Sequence, residues 1–372
     1  MTGMVPLVDL AAPAREIAAE VAAGWQAVVA SAAFVNGPQV ACFEQEFAAF
    51  TGSRHCVGVA NGTDAIEIVL RAWGVGPGDE CVLPANTFIA TAEAVRRAGA
   101  AVVLADCAGD GTYLIDPDAV AAALTPRTRA VIAVHLYGQA APAEALLPVA
   151  ARVGAYVLED AAQAQGARRN GLAAAALGHA AATSFYPGKN LGAYGDAGAI
   201  LTGSDEVARQ ARLIRDHGSP RKYEHAICGM NSRLDSLQAV VLSAKLRRLE
   251  RWNAARRAAA ARYGELLSDR GDVVLPRTAP GNEHIWHLYV VRVPDRDRDR
   301  VLKELRSAGI GAGVHYPTPV HLTAAFADLG YRSGAFPAAE RAAGELLSLP
   351  LFPEITAEQQ ARVVSVLTQA LP

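Results

Sequence analysis

Short apolar runs alternate with stretches whose apolar positions recur every three or four residues, and this rhythm governs much of the chain. The runs at 81–84, 101–106, 130–135 and 155–160 predict buried strands, and the segments at 63–73, 88–98, 116–125 and 143–152 predict helices. Strands and helices alternating at these lengths imply a mostly parallel sheet covered on both faces. Two further strands are expected at 183–186 and 198–202. Ahead of them, VPLVDL reads as an extended lead into an amphipathic helix ending at Ala33; NGPQV breaks it, and helical spacing resumes from Ala41 to Phe50.

A long helix is expected from Ser232 to about Ser268, with Ser232 and Asp235 spaced as a capping box and Leu234, Leu237, Val241 and Ala244 as its buried stripe. Past it the texture changes. Strand-like WHLYVVRV, a helix at 298–308, the segment AGVHYPTPVH and a final helix at 356–370 describe an α+β unit. The expected fold is α/β, with a large domain over residues 1–255 and a smaller C-terminal domain over 256–372. A length of 372 residues agrees with two domains.

Charge narrows the function. A net charge of −2 gives no electrostatic case for a nucleic-acid or polyanion partner. The arginine-rich run from Arg247 to Arg262 interleaves Ala, Leu and Trp252 and reads as a solvated helix face, while the alternating signs of DRDRDR at 295–300 cancel. Five cysteines (Cys42, Cys56, Cys81, Cys107, Cys228) form no CxxC, so buried free thiols in a reducing compartment are expected, with no disulfide framework and no metal site. There is no basic leader before an apolar core and no apolar stretch of roughly 18 residues, so a soluble, cytoplasmic protein without a membrane span is expected.

The candidate chemistry centres on TSFYPGKNLGAYGDAGA, residues 183–199, where Lys189 sits in a glycine-rich turn between two apolar segments. Upstream, AYVLED is an apolar strand ending in Asp160, which points a carboxylate into the crevice where open α/β sheets bind ligands. A lysine and a carboxylate so placed suit pyridoxal phosphate: the lysine forms an imine with the cofactor aldehyde, and the acid keeps the ring nitrogen protonated. The same two residues also suit an ordinary salt bridge. Burial and a cationic ring would both lower the lysine pKa. Gly62 and Thr63, between Asn61 and Asp64, open a helix and suit a phosphate, or serve only as an N-cap. Phe88 is a candidate to lie on an aromatic ring or to be a core residue, Gln163 to reach a ring substituent or to cap a helix, and Ser184 to donate to the phosphate. His135 and His315 are strand-end histidines near plausible crevices, or structural histidines with satisfied partners.

In order along nearly the whole chain, VPLVDL, NGTDAI, PANTFIAT, VHLYG, LEDAAQAQGA, SFYPGKNLGAYGDAGA, HGSPRKYEHAICGMNSRLDSLQAVVLSAKL and VHYPTPVHL resemble the nucleotide-sugar aminotransferases of the DegT/DnrJ/StrS type. These are fold-type I, aspartate aminotransferase-like enzymes. The resemblance implies pyridoxal 5'-phosphate as cofactor, Lys189 as Schiff-base lysine and proton shuttle, and Asp160 beneath the pyridine nitrogen. It further implies Gln163 at the phenolic oxygen, Phe88 on the ring, Gly62, Thr63 and Ser184 at the phosphate, and Asn231 reaching that phosphate from the partner subunit of a homodimer with shared sites. Relatives with histidine in place of the lysine are dehydratases, so Lys189 implies transamination. GSPRKYEHAICGMNSRLD is most similar to enzymes aminating carbon 3 of dTDP-3-keto-6-deoxyhexoses, with L-glutamate as donor. In that reading Lys222 and Tyr223 hold the pyrophosphate or sugar across the dimer, and His315, Tyr316 and His321 border the hexose. Amination at carbon 4 or of a cyclitol ketone, dehydration, and a non-catalytic regulatory or assembly homologue are the alternatives.

Overall fold

A computed structural model describes residues 3–294 and 297–371; Asp295 and Arg296 of the alternating charge run lie outside the described residues. Two helices open the chain. Ala11–Ser31 (α1) ends at Ala32 in the left-handed region, and Pro38–Thr51 (α2) has proline in its first turn and Gly52, at φ 72°, after its last. The central sheet is built from His55–Val59 (β1), Glu80–Pro84 (β2), Ala101–Ala105 (β3), Thr128–Val134 (β4), Tyr156–Asp160 (β5), Ala180–Ser184 (β8) and Gly198–Thr202 (β9). Arg168–Arg169 (β6), Leu172–Ala173 (β7) and Asn282–Glu283 (β10) form a small ribbon beside it.

Strand order is β1-β9-β8-β5-β4-β2-β3, and only β9 runs against its neighbours. Register then decides where chemistry can gather. Val59 and Ser184 both face Gly198, and Val134 faces Asp160, so these strand ends lie along one edge of the sheet. Gly62–Ala72 (α3), Ile89–Arg97 (α4), Pro117–Ala123 (α5), Ala143–Ala151 (α6) and Asp205–Arg215 (α7) pack around the sheet. The strand expected at 183–186 instead starts at Ala180. Alanine has little intrinsic strand preference, and what makes Ala180–Ala182 a strand is pairing with Leu158–Asp160 on one side and Ile200–Thr202 on the other.

The long helix begins at Ser236, not Ser232, and runs to Leu266 (α8). Ser232 and Asp235 form no capping box. Ser232 is buried and its hydroxyl accepts the Ala60 N–H at 3.1 Å, so a tertiary bond takes the group that the local pattern assigned to a cap. The arginine run also departs from a solvated face. Arg248 binds Glu16 and Glu20 of α1, Trp252 is buried, and Arg256 is buried with its guanidinium donating to the carbonyls of Trp286 and Leu351. Of the cysteines, Cys42 and Cys228 are exposed rather than buried, and all five are free.

After α8 come Tyr289–Arg292 (β11), Arg298–Ser307 (α9), Pro337–Glu345 (α10), Leu346–Leu349 (β12) and Ala357–Ala370 (α11). β11 pairs antiparallel with β12, and α11 opens on a full capping box between Thr356 and Gln359. A separate core of Tyr263, Tyr289, Leu305, Leu347 and Leu367 forms here, with Val5 joining it. Leu242 and Leu249 of α8 pack instead with Phe43, Phe47 and Phe185. One unbroken helix therefore crosses the expected boundary at 255/256, and we propose that the two domains share it.

Candidate active site

At the sheet edge one cavity of about 450 Å³ collects residues from nine separate stretches of the chain. Asp160, the last residue of β5, is 7 % exposed. Its Oδ2 accepts the Thr91 hydroxyl at 2.8 Å and its Oδ1 the Ala162 N–H at 3.2 Å. Because Thr91 donates to the acid, its oxygen must accept from Thr87, 2.8 Å away. The hydroxyl chain therefore has a direction, and it ends on the carboxylate.

Lys189 is carried by a turn that little but glycine permits. Its N–H donates to Tyr186 O at 2.8 Å, and a Cβ at Gly192 would sit 2.3 Å from Pro187 O. Lys245 clamps this turn from α8, donating Nζ to Gly192 O at 2.6 Å. Burial pulls the Lys189 ammonium down to about 8, against the opposing pull of Asp160. Lysine and acid line the same cavity, and Lys189 Nζ has no hydrogen-bond partner among the described residues.

Gly62 and Thr63 open α3, where first-turn N–H groups have no carbonyl of their own helix to bind. Capping falls to Asn61, whose side chain accepts the Asp64 N–H at 2.8 Å, so Thr63 lines the cavity without serving as a cap. A Cβ on Gly62 would come 2.7 Å from Ser184 Cβ, and one on Gly198 2.5 Å from the Asn61 carbonyl. Helix start, Ser184 and strand β9 thus close on one another around a small donor-rich cradle.

Gln163 accepts the Tyr137 N–H at 2.7 Å and donates Nε2 to the Tyr316 hydroxyl at 2.9 Å, leaving one amide hydrogen. Phe88 is not a core residue: it is 51 % exposed, lines the cavity and tilts against Tyr316 with ring centres 5.3 Å apart. His315 also lines the cavity, with Nδ1 2.8 Å from the Ser348 hydroxyl, and burial lowers it to about 4.

Five expected residues lie outside the cavity of their own chain. His321 does not border the cavity; it is buried against Phe336, with Nε2 3.0 Å from Glu340. The resemblance implied a place at the hexose, but the turn it occupies folds inward. Lys222, Tyr223 and Asn231, expected to act from a partner, are exposed and outside the cavity of their own chain, with Lys222 Nζ 5.1 Å from the Tyr223 ring centre. His135 is likewise not in the crevice. It is fully buried, its Nδ1 accepting the Ala141 N–H and its Nε2 2.7 Å from Glu159.

The sequence reading missed Thr91, which holds Asp160, and His287, which lines the cavity beside Leu288. A histidine inside the apolar run WHLYVVRV was the available signal for the latter. Leu7 and Val8 of the lead also wall the cavity.

These residues fit pyridoxal 5'-phosphate. A half-exposed aromatic face, an anchored carboxylate, a lysine with lowered pKa and a donor cradle too tight for any Cβ match the ring, its nitrogen, its aldehyde and its phosphate. Known proteins agree. The chain is 44 % identical over 368 residues to a dTDP-3-amino-3,4,6-trideoxy-alpha-D-glucose transaminase of Streptomyces venezuelae, covering 99 % of this chain and 96 % of that one. It is 47 % identical to a "pleiotropic regulatory protein" of Geobacillus stearothermophilus, covering 98 % of each. The crystal structure of S. venezuelae DesV in complex with a ketimine intermediate superimposes with a TM-score of 0.96 at 43 % identity, over 100 % of both chains. Residues 15–368 match the corresponding family profile throughout, and the chain belongs to the DegT/DnrJ/EryC1/StrS aminotransferase family, as a fold-type I aminotransferase dependent on pyridoxal phosphate.

Proposed function

We propose that this enzyme moves the amino group of L-glutamate onto carbon 3 of a dTDP-linked 3-keto-6-deoxyhexose, in the biosynthesis of a deoxyaminosugar such as those of antibiotics. The observation that carries the reading is the meeting of Lys189 and Asp160 in one cavity that Gly62, Thr63 and Ser184 also line. The cofactor supplies an aldehyde carbon and a ring able to take up an electron pair. Lys189 would hold that carbon and, when free of it, would take up and return a proton, its lowered pKa supplying the free amine this requires near neutral pH. Asp160, steadied by Thr91, supplies the negative charge that favours a protonated ring nitrogen. Gln163 would offer its remaining amide hydrogen to the phenolic oxygen, and Phe88, half-exposed in the cavity, would cover the ring face. The N–H groups of Gly62 and Thr63 and the Ser184 hydroxyl would hold the phosphate.

The working unit in this reading is a cytoplasmic homodimer. The partner's Asn231 completes the phosphate cradle, and the partner's Lys222 and Tyr223 hold the nucleotide. Among the described residues no helix is long and apolar enough to cross a membrane. In the sugar subsite His315 and Tyr316 remain, and His321 does not.

A regulatory reading is supported by the names of two relatives, the Geobacillus protein and a sensory transduction protein of Saccharopolyspora erythraea. Against it stands the intact set of Lys189, Asp160, Thr91 and Gln163, which a binding module has no need to assemble. The deciding experiment incubates purified protein with glutamate and either a 3-keto or a 4-keto dTDP-6-deoxyhexose. Amination of the 3-keto sugar, with 2-oxoglutarate released, is the expected result. Amination of the 4-keto sugar alone moves the reaction to carbon 4, and turnover of neither with cofactor bound supports the regulatory reading.

A further inference from the structure

A chain of amide hydrogen bonds, anchored on backbone carbonyls, fixes the state of His287. Asn253 Nδ2 donates to Gln165 O at 3.0 Å, which orients that amide and turns its Oδ1 toward Asn190. Asn190 Nδ2 donates to Asn253 Oδ1 at 2.9 Å and to Ile285 O at 3.2 Å, so Asn190 Oδ1 is left for His287 Nδ1, 3.2 Å away. An amide oxygen only accepts, so Nδ1 carries the hydrogen. Nε2 has no partner among the described residues, yet it is not an enclosed orphan atom, and the cavity of Lys189 is the one that His287 lines. Among the described residues no carboxylate hydrogen-bonds the imidazole. Burial and the charges of Lys189 and Arg256 keep it neutral. The outcome is a lone pair, rigidly held, opening onto the cavity of the reacting amine.

We propose that His287 is a positioning residue for Lys189, its Nε2 accepting an N–H of the lysine whenever that amine is free of the cofactor and carries a proton. In the free chain Lys189 Nζ bonds neither Asp160 nor His287, and all three residues line one cavity. No covalent change at His287 is involved. The proton stays on nitrogen 189, and the imidazole sets where that nitrogen waits. Asn190, the neighbour of Lys189 in sequence, ties the two together, since the residue that follows the lysine also orients the imidazole. This inference rests on the function proposed above.

The test starts with cofactor-free protein. Trace acetylation of Lys189 is followed against pH by peptide mass in wild type, His287→Leu and His287→Gln. An acceptor for an ammonium favours its charged form, so His287→Leu lowers the labelling midpoint by about one pH unit, while His287→Gln, which keeps an acceptor, stays near wild type. In the loaded enzyme, His287→Leu lowers kcat about tenfold or more with little change in KM, and the isotope effect from α-deuterated glutamate rises. A midpoint unchanged in His287→Leu, or moved equally in both variants, overturns the proposal. So does a loss of activity explained by cofactor occupancy with the isotope effect unaltered. Borohydride fixation of cofactor onto wild-type Lys189 separates the two readings: if it fails, the proposed function falls, and if it succeeds with midpoints unmoved, only the role of His287 falls.

Discussion

Glu159 and Asp160 are consecutive strand residues pointing to opposite faces of the sheet, so exchanging the first tests how the second is held without touching the cavity. Four donors converge on the Glu159 carboxylate. Leu177 and Gly178 N–H reach Oε1 at 2.8 and 2.7 Å, and Ala175 N–H and His135 Nε2 reach Oε2, both at 2.7 Å. His135 Nδ1 already accepts from Ala141, so its Nε2 must be the donor. In Glu159→Gln the shape persists, but one oxygen becomes an NH₂ group facing two donors. Two charge-assisted bonds vanish and two buried donors lose their acceptor, a cost of about 3–5 kcal/mol. For a chain of this length that lowers the melting point by about 4–8 °C. The assay is urea and thermal unfolding of cofactor-free protein, in wild-type and His135→Leu backgrounds. With His135 removed, one of the four donors is gone and the Gln substitution costs less. A loss below about 1 kcal/mol, or an equal loss in both backgrounds, refutes the argument.

The lysines carry a pH prediction. Lys189 and Lys245 are both lowered by burial from 10.5 to about 8 in the folded protein. Below pH 8 both states hold these protons; above it the folded state releases them first, so the unfolded state binds more and stability rises with pH. Urea midpoints of cofactor-free protein should therefore climb between about pH 8 and 10, and a flat or falling profile in Lys189→Met/Lys245→Met protein identifies these groups as the source. Gly62→Ala places a methyl 2.7 Å from Ser184 Cβ and should weaken cofactor binding about tenfold or more, read by equilibrium titration, with the far-ultraviolet spectrum unchanged. His321→Ala should cost about 2 kcal/mol of stability by removing a buried side chain bonded to Glu340, yet leave KM for the keto sugar unchanged; a raised KM would return His321 to the sugar subsite.

The strand–helix rhythm was legible because buried parallel strands and their covering helices write strong local patterns, and Lys189 and Asp160 stood out because a glycine-rich turn and a strand end are both visible in one dimension. What escaped was set by contacts far apart in sequence. Ser232 looks like a cap until Ala60, 172 residues away, takes its hydroxyl. Thr91 is an ordinary helix residue until it meets Asp160 across 69 positions. His287 sits in a strand-like apolar run, and only the bonds from Asn190 and Asn253 reveal which of its nitrogens is free. His321 erred the other way: the resemblance implied a place at the hexose, whereas Glu340 supplies an internal partner. The helix α7 after Ser204 and the pair of α10 and β12 drew no attention, although Ser204 accepting the Val207 N–H is a recognisable start signal.

The 31-residue rod from Ser236 to Leu266 reaches from the aromatic packing of Phe43 and Phe185 to that of Tyr289. Hinging the smaller body against the larger would mean bending a continuous ladder of peptide bonds at a point where Arg256 is already pinned to two carbonyls. A substrate therefore meets two cores joined by one helix, with Leu7 and Val8 of the lead forming part of the cavity wall.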